Sequence, residues 1–252
     1  MSIFNFFKKK ECPNPYTRAD MEKDIHPSRI NSEEAYEHYG SKPTLKYTIL
    51  NSGDPEIVAE LIKNGADVNW VRHTVGETVG DLFYLSEKRN IALLKVLINA
   101  GLDLNAKGMW GKTLLYNLSE YSDTEFIKLV LDSGADVNLG DTHGNTPISC
   151  VSARGDSETL QLLIDYGGEI NTKNGMNVTP LYEAILGNQA SIILEFGNKE
   201  PNLENIKILI NAGADVNAVC NNESILDLAY EIEDDEVIKI LKDAGAIKRV
   251  QK

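Results

Sequence analysis

The chain has 252 residues, of which 42% are hydrophobic, and a formal net charge of −13. This composition excludes a disordered chain, and no apolar run approaches the roughly 18 residues that a membrane-spanning helix needs. The first 42 residues carry seven basic and seven acidic side chains, so the acidic excess lies entirely in residues 43–252. Such acidity argues against nucleic acid as a partner, because nucleic acid binds basic surfaces. It favours a basic partner, or solubility alone.

Residues 1–40 are predicted to form an extension of one or two short helices that covers one end of the following domain. TRADMEKDI (17–25) and NSEEAYEHY (31–39) each begin with a helix-capping residue followed by acids. The start, MSIFNFFKKK, lacks the order of a secretory signal and would anchor weakly to a membrane. Cys12, Cys150 and Cys220 form no disulfide pattern and fit reduced thiols. We therefore predict a cytoplasmic protein without stable membrane association.

The rest of the chain contains one recurring phrase. Its copies are NGADVN (64–69), AGLDLN (100–105), SGADVN (133–138), GGEIN (167–171), AGADVN (212–217) and AGAIK (244–248). Corresponding glycines are separated by 36, 33, 33, 46 and 32 residues. The phrase follows stretches such as EFIKLVLDSG (125–134), whose apolar spacing predicts a helix with one buried face. We expect each glycine to end its helix in a left-handed cap.

A second signature, Gly-x-Thr-Pro or its remnant, follows the phrase and begins a shorter helix. GNTP (144–147) is the complete form; its threonine caps the helix, and its proline fits the first helical position. Gly111-Lys112-Thr113 also resembles the end of a phosphate-binding loop. However, Ala106 stands where that motif requires its first glycine. We interpret these three residues as a repeat landmark in which Lys112 is variable and exposed.

The unit at residues 144–171, together with TPLYEA (179–184), resembles the ankyrin repeat. The resemblance covers about six units, at roughly residues 41–248. It implies an all-α repeat solenoid, a stack of antiparallel helix pairs with β-hairpin fingers, in a domain at residues 41–252. The fifth unit is 13 residues longer than the others, with the excess near residues 189–201. That excess is either a tolerated insertion or an added binding wall.

The sequence contains no constellation that predicts catalysis, a metal site or a cofactor. No histidine has a ligand-spaced partner; the four are His26, His38, His73 and His143. An enzyme with a site built across several units would need converging titratable groups, and the sequence shows none. We therefore predict a chain that is not an enzyme.

The resemblance implies a non-enzymatic scaffold that holds partner proteins by its finger tips and by the exposed face of each unit's first helix. The positions that correspond to such contacts here are Trp70, Arg72, His73, Met109, Trp110, Glu120, Tyr121, Asp141, His143, Arg154, Lys173, Met176 and Glu231. Both tryptophans lie in fingers, either as interface anchors or packed on a neighbouring finger. The acids Glu120, Asp141 and Glu231 would attract a basic partner.

Two functions fit this interpretation. The first is a stoichiometric binder or inhibitor of one basic protein, because small acidic bacterial proteins of this repeat type resemble immunity proteins that neutralise a toxin. The alternative is an adaptor that recruits several partners. In either case we expect a monomer when unbound. The concave groove, the insertion and the N-terminal extension all stay open as the binding surface.

Overall fold

The structure is a computed structural model that describes residues 53–69, 90–121, 124–187 and 201–248. The chain divides into two compact units, Met1–Trp70 and Val71–Lys252, and each is described by itself. The predicted N-terminal extension lies outside the described residues, as does the predicted insertion up to residue 200. Within the described ranges, no helix is long and apolar enough to cross a membrane.

In the first unit the described residues form one helix, α1 (Pro55–Lys63). Asp54 begins it, since its carboxylate accepts hydrogen bonds from the backbone N–H groups of the first turn. Val58 and Leu61 form the buried face. Gly65 follows the helix in the left-handed conformation, at φ 98°, which is the predicted cap.

In its described residues, the second unit consists of helices and one short hairpin. Its elements are α2 (Ile91–Asn99), a 3₁₀ turn (Met109–Gly111), α3 (Leu114–Tyr121), α4 (Thr124–Asp132), α5 (Pro147–Arg154), α6 (Ser157–Asp165), α7 (Pro180–Leu186), α8 (Leu203–Asn211), β1 (Val219–Cys220), β2 (Glu223–Ser224), α9 (Ile225–Glu231) and α10 (Asp235–Asp243).

These helices pack in two layers. Helices α3, α5, α7 and α9 contact one another in sequence order, and α4, α6 and α8 do the same. Each helix of the first layer also packs on the helix that follows it in the chain. Equivalent apolar residues fill the core; Leu115, Ile148, Leu181 and Leu226 are all buried. The structure thus confirms the predicted solenoid of helix pairs.

In four repeats of the second compact unit, a side-chain hydroxyl group caps the start of the first helix, as the sequence predicts. The side chains of Thr146 and Thr179 accept hydrogen bonds from the backbone N–H three residues later. Thr113 does the same for the N–H of Tyr116, at 3.2 Å. Ser224, the weakest of the predicted remnants, also caps its helix and forms a full capping box with Asp227.

A ladder of asparagines joins consecutive repeats within the second compact unit. Its members are the final residues of the recurring phrase, Asn105, Asn138, Asn171 and Asn217. Each amide nitrogen donates to the carbonyl oxygen of the cap glycine one unit later, at 3.2 to 3.5 Å. Each amide oxygen accepts from a backbone N–H two residues after that glycine, at 2.8 to 2.9 Å. The asparagine therefore recurs because it links the repeats.

Candidate protein-binding surface

The fingers stand in register because their backbones are hydrogen-bonded to one another. The N–H of Thr142 donates to the carbonyl of Trp110 at 2.8 Å, and the N–H of Gly175 donates to that of His143 at 2.6 Å. Trp110, His143 and Met176 consequently occupy equivalent positions, 33 residues apart, on three consecutive fingers. We call these three residues the tip row.

Trp110 combines a solvent-exposed indole with an unfavourable backbone. Its side chain is 63% exposed, and its φ and ψ of 61° and 18° lie in the left-handed region. That region is costly for residues other than glycine, asparagine and aspartate. The hypothesis that Trp110 packs on the neighbouring finger does not fit this exposure.

Gly111 explains the Gly-Lys-Thr landmark. Its φ is 69°, and a Cβ at this position would lie 3.0 Å from the Thr142 side chain and 3.1 Å from the Thr142 backbone nitrogen. Glycine is therefore needed both for the turn and for the close approach of the next finger.

The other two residues of the tip row are also exposed. The side chain of His143 is 67% exposed, and that of Met176 is 59% exposed.

Five other predicted contact residues are described only by their backbone or not at all. The backbones of Met109 and Tyr121 lie in the 3₁₀ turn and at the end of α3. Outside the described residues lie Trp70, Arg72 and His73.

Asp141 holds its finger together and does not project from it. Its side chain is only 5% exposed. One carboxylate oxygen accepts hydrogen bonds from the backbone N–H groups of His143 and Asn145, at 2.8 and 2.9 Å. The Tyr116 hydroxyl also bonds this carboxylate; burial raises the pKa of Tyr116, and so do the charges nearby. Asp141 was predicted as a contact residue, but its carboxylate is not available for direct contact.

The same polar network continues beneath the next finger to a buried acid. Asn174 donates from its amide nitrogen to Asn145 at 2.8 Å and to Glu183 at 3.3 Å. Glu183 is buried on the first turn of α7. Desolvation raises the pKa of its carboxyl group, and the hydrogen bond from Asn174 lowers it in part.

Lys112 was predicted to be an exposed, variable residue, and the prediction of exposure is wrong. Its side chain is only 24% exposed because the ammonium group lies 2.5 Å from a carboxylate oxygen of Glu120. It also lies over the ring of Tyr116, 5.0 Å from the centroid. Glu120, a predicted contact residue at the end of α3, is therefore already paired with a cation.

Glu223 occupies the corresponding place in the last repeat, and sequence reasoning missed it. Ser224 corresponds to Thr113, so Glu223 aligns with Lys112 and Glu231 with Glu120. The partner of Glu231 is thus a second acid. Desolvation raises the pKa of Glu223, and the hydrogen bond and negative charge of Glu231 raise it further. We call Glu223 and Glu231 the acid pair.

The predicted basic contact residues Lys173 and Arg154 differ in their contacts: Lys173 donates to the backbone of the next finger, and Arg154 is exposed. Lys173 donates to the carbonyl oxygen of Val219 at 2.7 Å, one finger further on. Lys107, at the equivalent position of an earlier finger, donates to that of Gly140 at 3.0 Å. Arg154 is the last residue of α5 and is exposed.

Two observations concern possible chemistry at this surface. In the part of the chain that the structure describes, no group of three or more His, Cys, Asp or Glu side chains could hold a metal ion. Desolvation and the negative charge of Glu120 raise the pKa of the Cys150 thiol to about 12. That thiol is consequently protonated at neutral pH and is a poor nucleophile.

Comparison with known proteins agrees with the geometry. The sequence matches the family model for ankyrin repeats (3 copies) at residues 45–141 and 115–205, which together span more than half of the chain. An ankyrin repeat domain from Acinetobacter baumannii AYE, solved at 1.00 Å resolution, is similar in structure, with 25% sequence identity and a TM-score of 0.68. The similarity covers 81% of this chain and 98% of that one. No curated protein matches the sequence.

Proposed function

The chain belongs to the ankyrin-repeat family, and from its place among these protein–protein interaction modules we propose that it binds one basic protein stoichiometrically and inhibits it. The surface used is the finger face, which we define as the fingers together with helices α3, α5, α7 and α9. It holds the tip row, Glu120, Arg154, Lys173 and the acid pair. The predicted contacts Trp70, Arg72, His73, Met109 and Tyr121 belong to this proposal through their sequence positions.

The acid pair is the observation that carries the proposal. Two neighbouring carboxyl groups repel each other when both are ionised; desolvation raises the pKa of Glu223 most, and the hydrogen bond and charge of Glu231 raise it further. A lysine or arginine of a partner would remove the repulsion and form charge-assisted hydrogen bonds. Asp227 adds further negative charge beside Glu223. This end of the finger face is therefore suited to a cation.

An equivalent site within the same chain supports this interpretation. At the corresponding positions, the Lys112 ammonium contacts Glu120 at 2.5 Å. The repeat geometry therefore accommodates a cation at this place. The acid pair has Glu223 where the other repeat has lysine, and we propose that a basic residue of the partner supplies the cation there.

The lysines of the fingers are bound to other groups and do not serve as the cation of the acid pair. Lys107 and Lys173 each donate to a backbone carbonyl of the next finger, and Lys112 is paired with Glu120. Their charges are held close to the scaffold. A basic partner approaching a chain of net charge −13 is attracted at long range and meets the acid pair at contact.

An immunity protein against a bacterial toxin is the specific form of this function that we propose. Such a protein must be acidic if its target is a cationic enzyme, and it needs no other domain to block that enzyme. We further propose that the chain acts in the cytoplasm and is a monomer until it meets its target. The net charge of −13 supports the first requirement.

Affinity capture tests the proposal. The wild-type chain is immobilised and exposed to lysate of its source cell, and bound proteins are quantified by mass spectrometry. We expect one protein with an excess of lysine and arginine, bound at equimolar amount and released at high salt, because salt screens such contacts. Recovery of acidic proteins alone, or of none, would contradict the proposal.

A matched pair of variants locates the contact. Glu223→Gln with Glu231→Gln removes two charges from the finger face, whereas Glu158→Gln with Glu204→Gln removes two exposed charges from α6 and α8. Only the first variant should lose the basic protein. Equal loss from both variants would attribute binding to net charge alone. Several proteins at substoichiometric amounts would instead support an adaptor.

A further inference from the structure

We propose that Trp110 is the platform on which an arginine side chain of the partner stacks, an inference that rests on the proposed binding of a basic protein. Tryptophan has the strongest attraction for cations among the aromatic side chains. The planar guanidinium group of arginine stacks on such rings, whereas the ammonium group of lysine acts as a point charge. The inference therefore specifies which basic residue meets this finger.

The indole is presented to solvent by a fixed backbone. Its side chain is 63% exposed, while the Trp110 carbonyl accepts the hydrogen bond of the Thr142 N–H at 2.8 Å. The next residue, Gly111, is held against Thr142. A finger tip whose backbone is held in place before binding loses less conformational freedom when a ligand binds there.

No cation of the described residues occupies the Trp110 ring. Lysines lie over the rings of Tyr116, Tyr166 and Tyr230, which shows how readily this chain covers other aromatic rings. The two lysines of the same finger, Lys107 and Lys112, are engaged elsewhere. As far as the described residues are concerned, the Trp110 ring is therefore open to a cation from a partner.

The turn does not need a tryptophan. The last finger also uses two consecutive left-handed residues, Asn221 and Asn222, at φ 50° and 68°. Asparagine adopts this conformation at lower cost than tryptophan. Trp110 therefore adds backbone strain that asparagine would lower, and such strained residues cluster at ligand-binding sites.

Fluorescence of Trp110 tests the inference directly. The chain has two tryptophans, so Trp70→Phe leaves Trp110 as the single indole reporter. This variant is titrated with an arginine homopeptide and with a lysine homopeptide of equal length at equal ionic strength. We expect saturable quenching, with an affinity for the arginine peptide about two- to fivefold higher, which corresponds to an exposed cation–π contact.

The matched control is the Trp70→Phe chain that also carries Trp110→Asn, compared with the Trp70→Phe chain by anisotropy of labelled peptides. It should lose the preference for arginine, keep its affinity for the lysine peptide, and unfold at a higher urea concentration than the Trp70→Phe chain. Equal affinity of the two peptides for the Trp70→Phe chain, or an arginine preference that survives when Trp110→Asn is added, would overturn the inference while leaving a basic partner possible. If neither peptide binds, both the inference and the proposed function fail.

Discussion

Two repeats of the chain place a pair of side chains at the same site, with opposite electrostatic results. In one repeat, Lys112 precedes the helix and contacts Glu120 eight residues later. In the last repeat, Glu223 and Glu231 have the same spacing, and helix α9 corresponds to α3 of the other repeat. The scaffold is shared, so the difference lies in one residue. The first site is neutralised by Lys112 of the same repeat, whereas the second holds two acids, for which we propose a cation from the partner.

This contrast separates residues that serve the fold from residues that are free to serve binding. The Lys112–Glu120 pair is partly buried, with 24% and 29% of the side chains exposed. An ion pair in that setting is screened less than a surface pair. The acid pair contributes nothing comparable to stability, because its members repel each other.

Lys112→Glu should have the largest effect, because it converts the first site into a second acid pair. We expect the free energy of unfolding to fall by about 1.5 kcal/mol, from the lost ion pair and the new repulsion. Urea unfolding measures the change. Lys112→Met, which keeps an apolar chain over Tyr116 without the charge, should lose less. Equal losses in the two variants would show that repulsion contributes nothing.

Glu223→Lys tests the comparison from the other direction, because it gives the last repeat an internal ion pair. We expect the free energy of unfolding to rise by about 1 kcal/mol, the upper end of what ion pairs near the surface contribute. Thermal or urea unfolding measures this gain. The matched control is Glu204→Lys, which makes the same charge change on α8. A gain of the same size there would attribute the effect to net charge.

The pH dependence of stability should show the acid pair. Desolvation and Glu231 raise the folded-state pKa of Glu223 above its ordinary value of 4.5. The folded state thus favours the neutral acid, so stability should fall as pH rises from about 4.5 through the raised pKa and then level off. Glu223→Gln should remove this part of the decline. An unchanged profile would contradict the assignment.

Glu183 provides an internal comparison for that profile, with a smaller response to salt. Its pKa is raised by desolvation, and no like charge contributes. Glu183→Gln keeps an acceptor for Asn174, so it should also flatten the decline in stability above pH 4.5. Salt screens repulsion but not desolvation. Urea unfolding at low and high salt should therefore change the contribution of Glu223 and leave that of Glu183 unchanged.

Much of the fold could be predicted because its signals are local. Glycine at a helix end and threonine at a helix start act within three or four residues, and both recur at a period near 33. The structure confirms them at Gly134 and Thr146, for example. The linking role of Asn138 was not predicted, because its partners Gly167 and Glu169 belong to the next repeat.

The candidate site was harder to predict because it depends on contacts between a finger and a helix. Asp141 was assigned to the binding surface from its position in the finger, but backbone N–H groups bind its carboxylate. Lys112 was predicted to be exposed because it occupies the x position of the Gly-x-Thr landmark, and its partner Glu120 lies eight residues away, beyond the usual helix spacings. Aligning the repeats on Thr113 and Ser224 would have assigned Glu223 to the same repeat position as Lys112, and so would have revealed the acid pair.

The affinity of the captured basic protein for the Glu223→Lys chain tests the central claim most directly. Isothermal titration compares this variant with the wild type under identical buffer conditions. Because the introduced lysine would occupy the place of the partner's cation, we predict at least about a tenfold loss of affinity in a chain that is more stable than the wild type. Unchanged affinity would contradict the account, because the partner would then bind without using the acid pair.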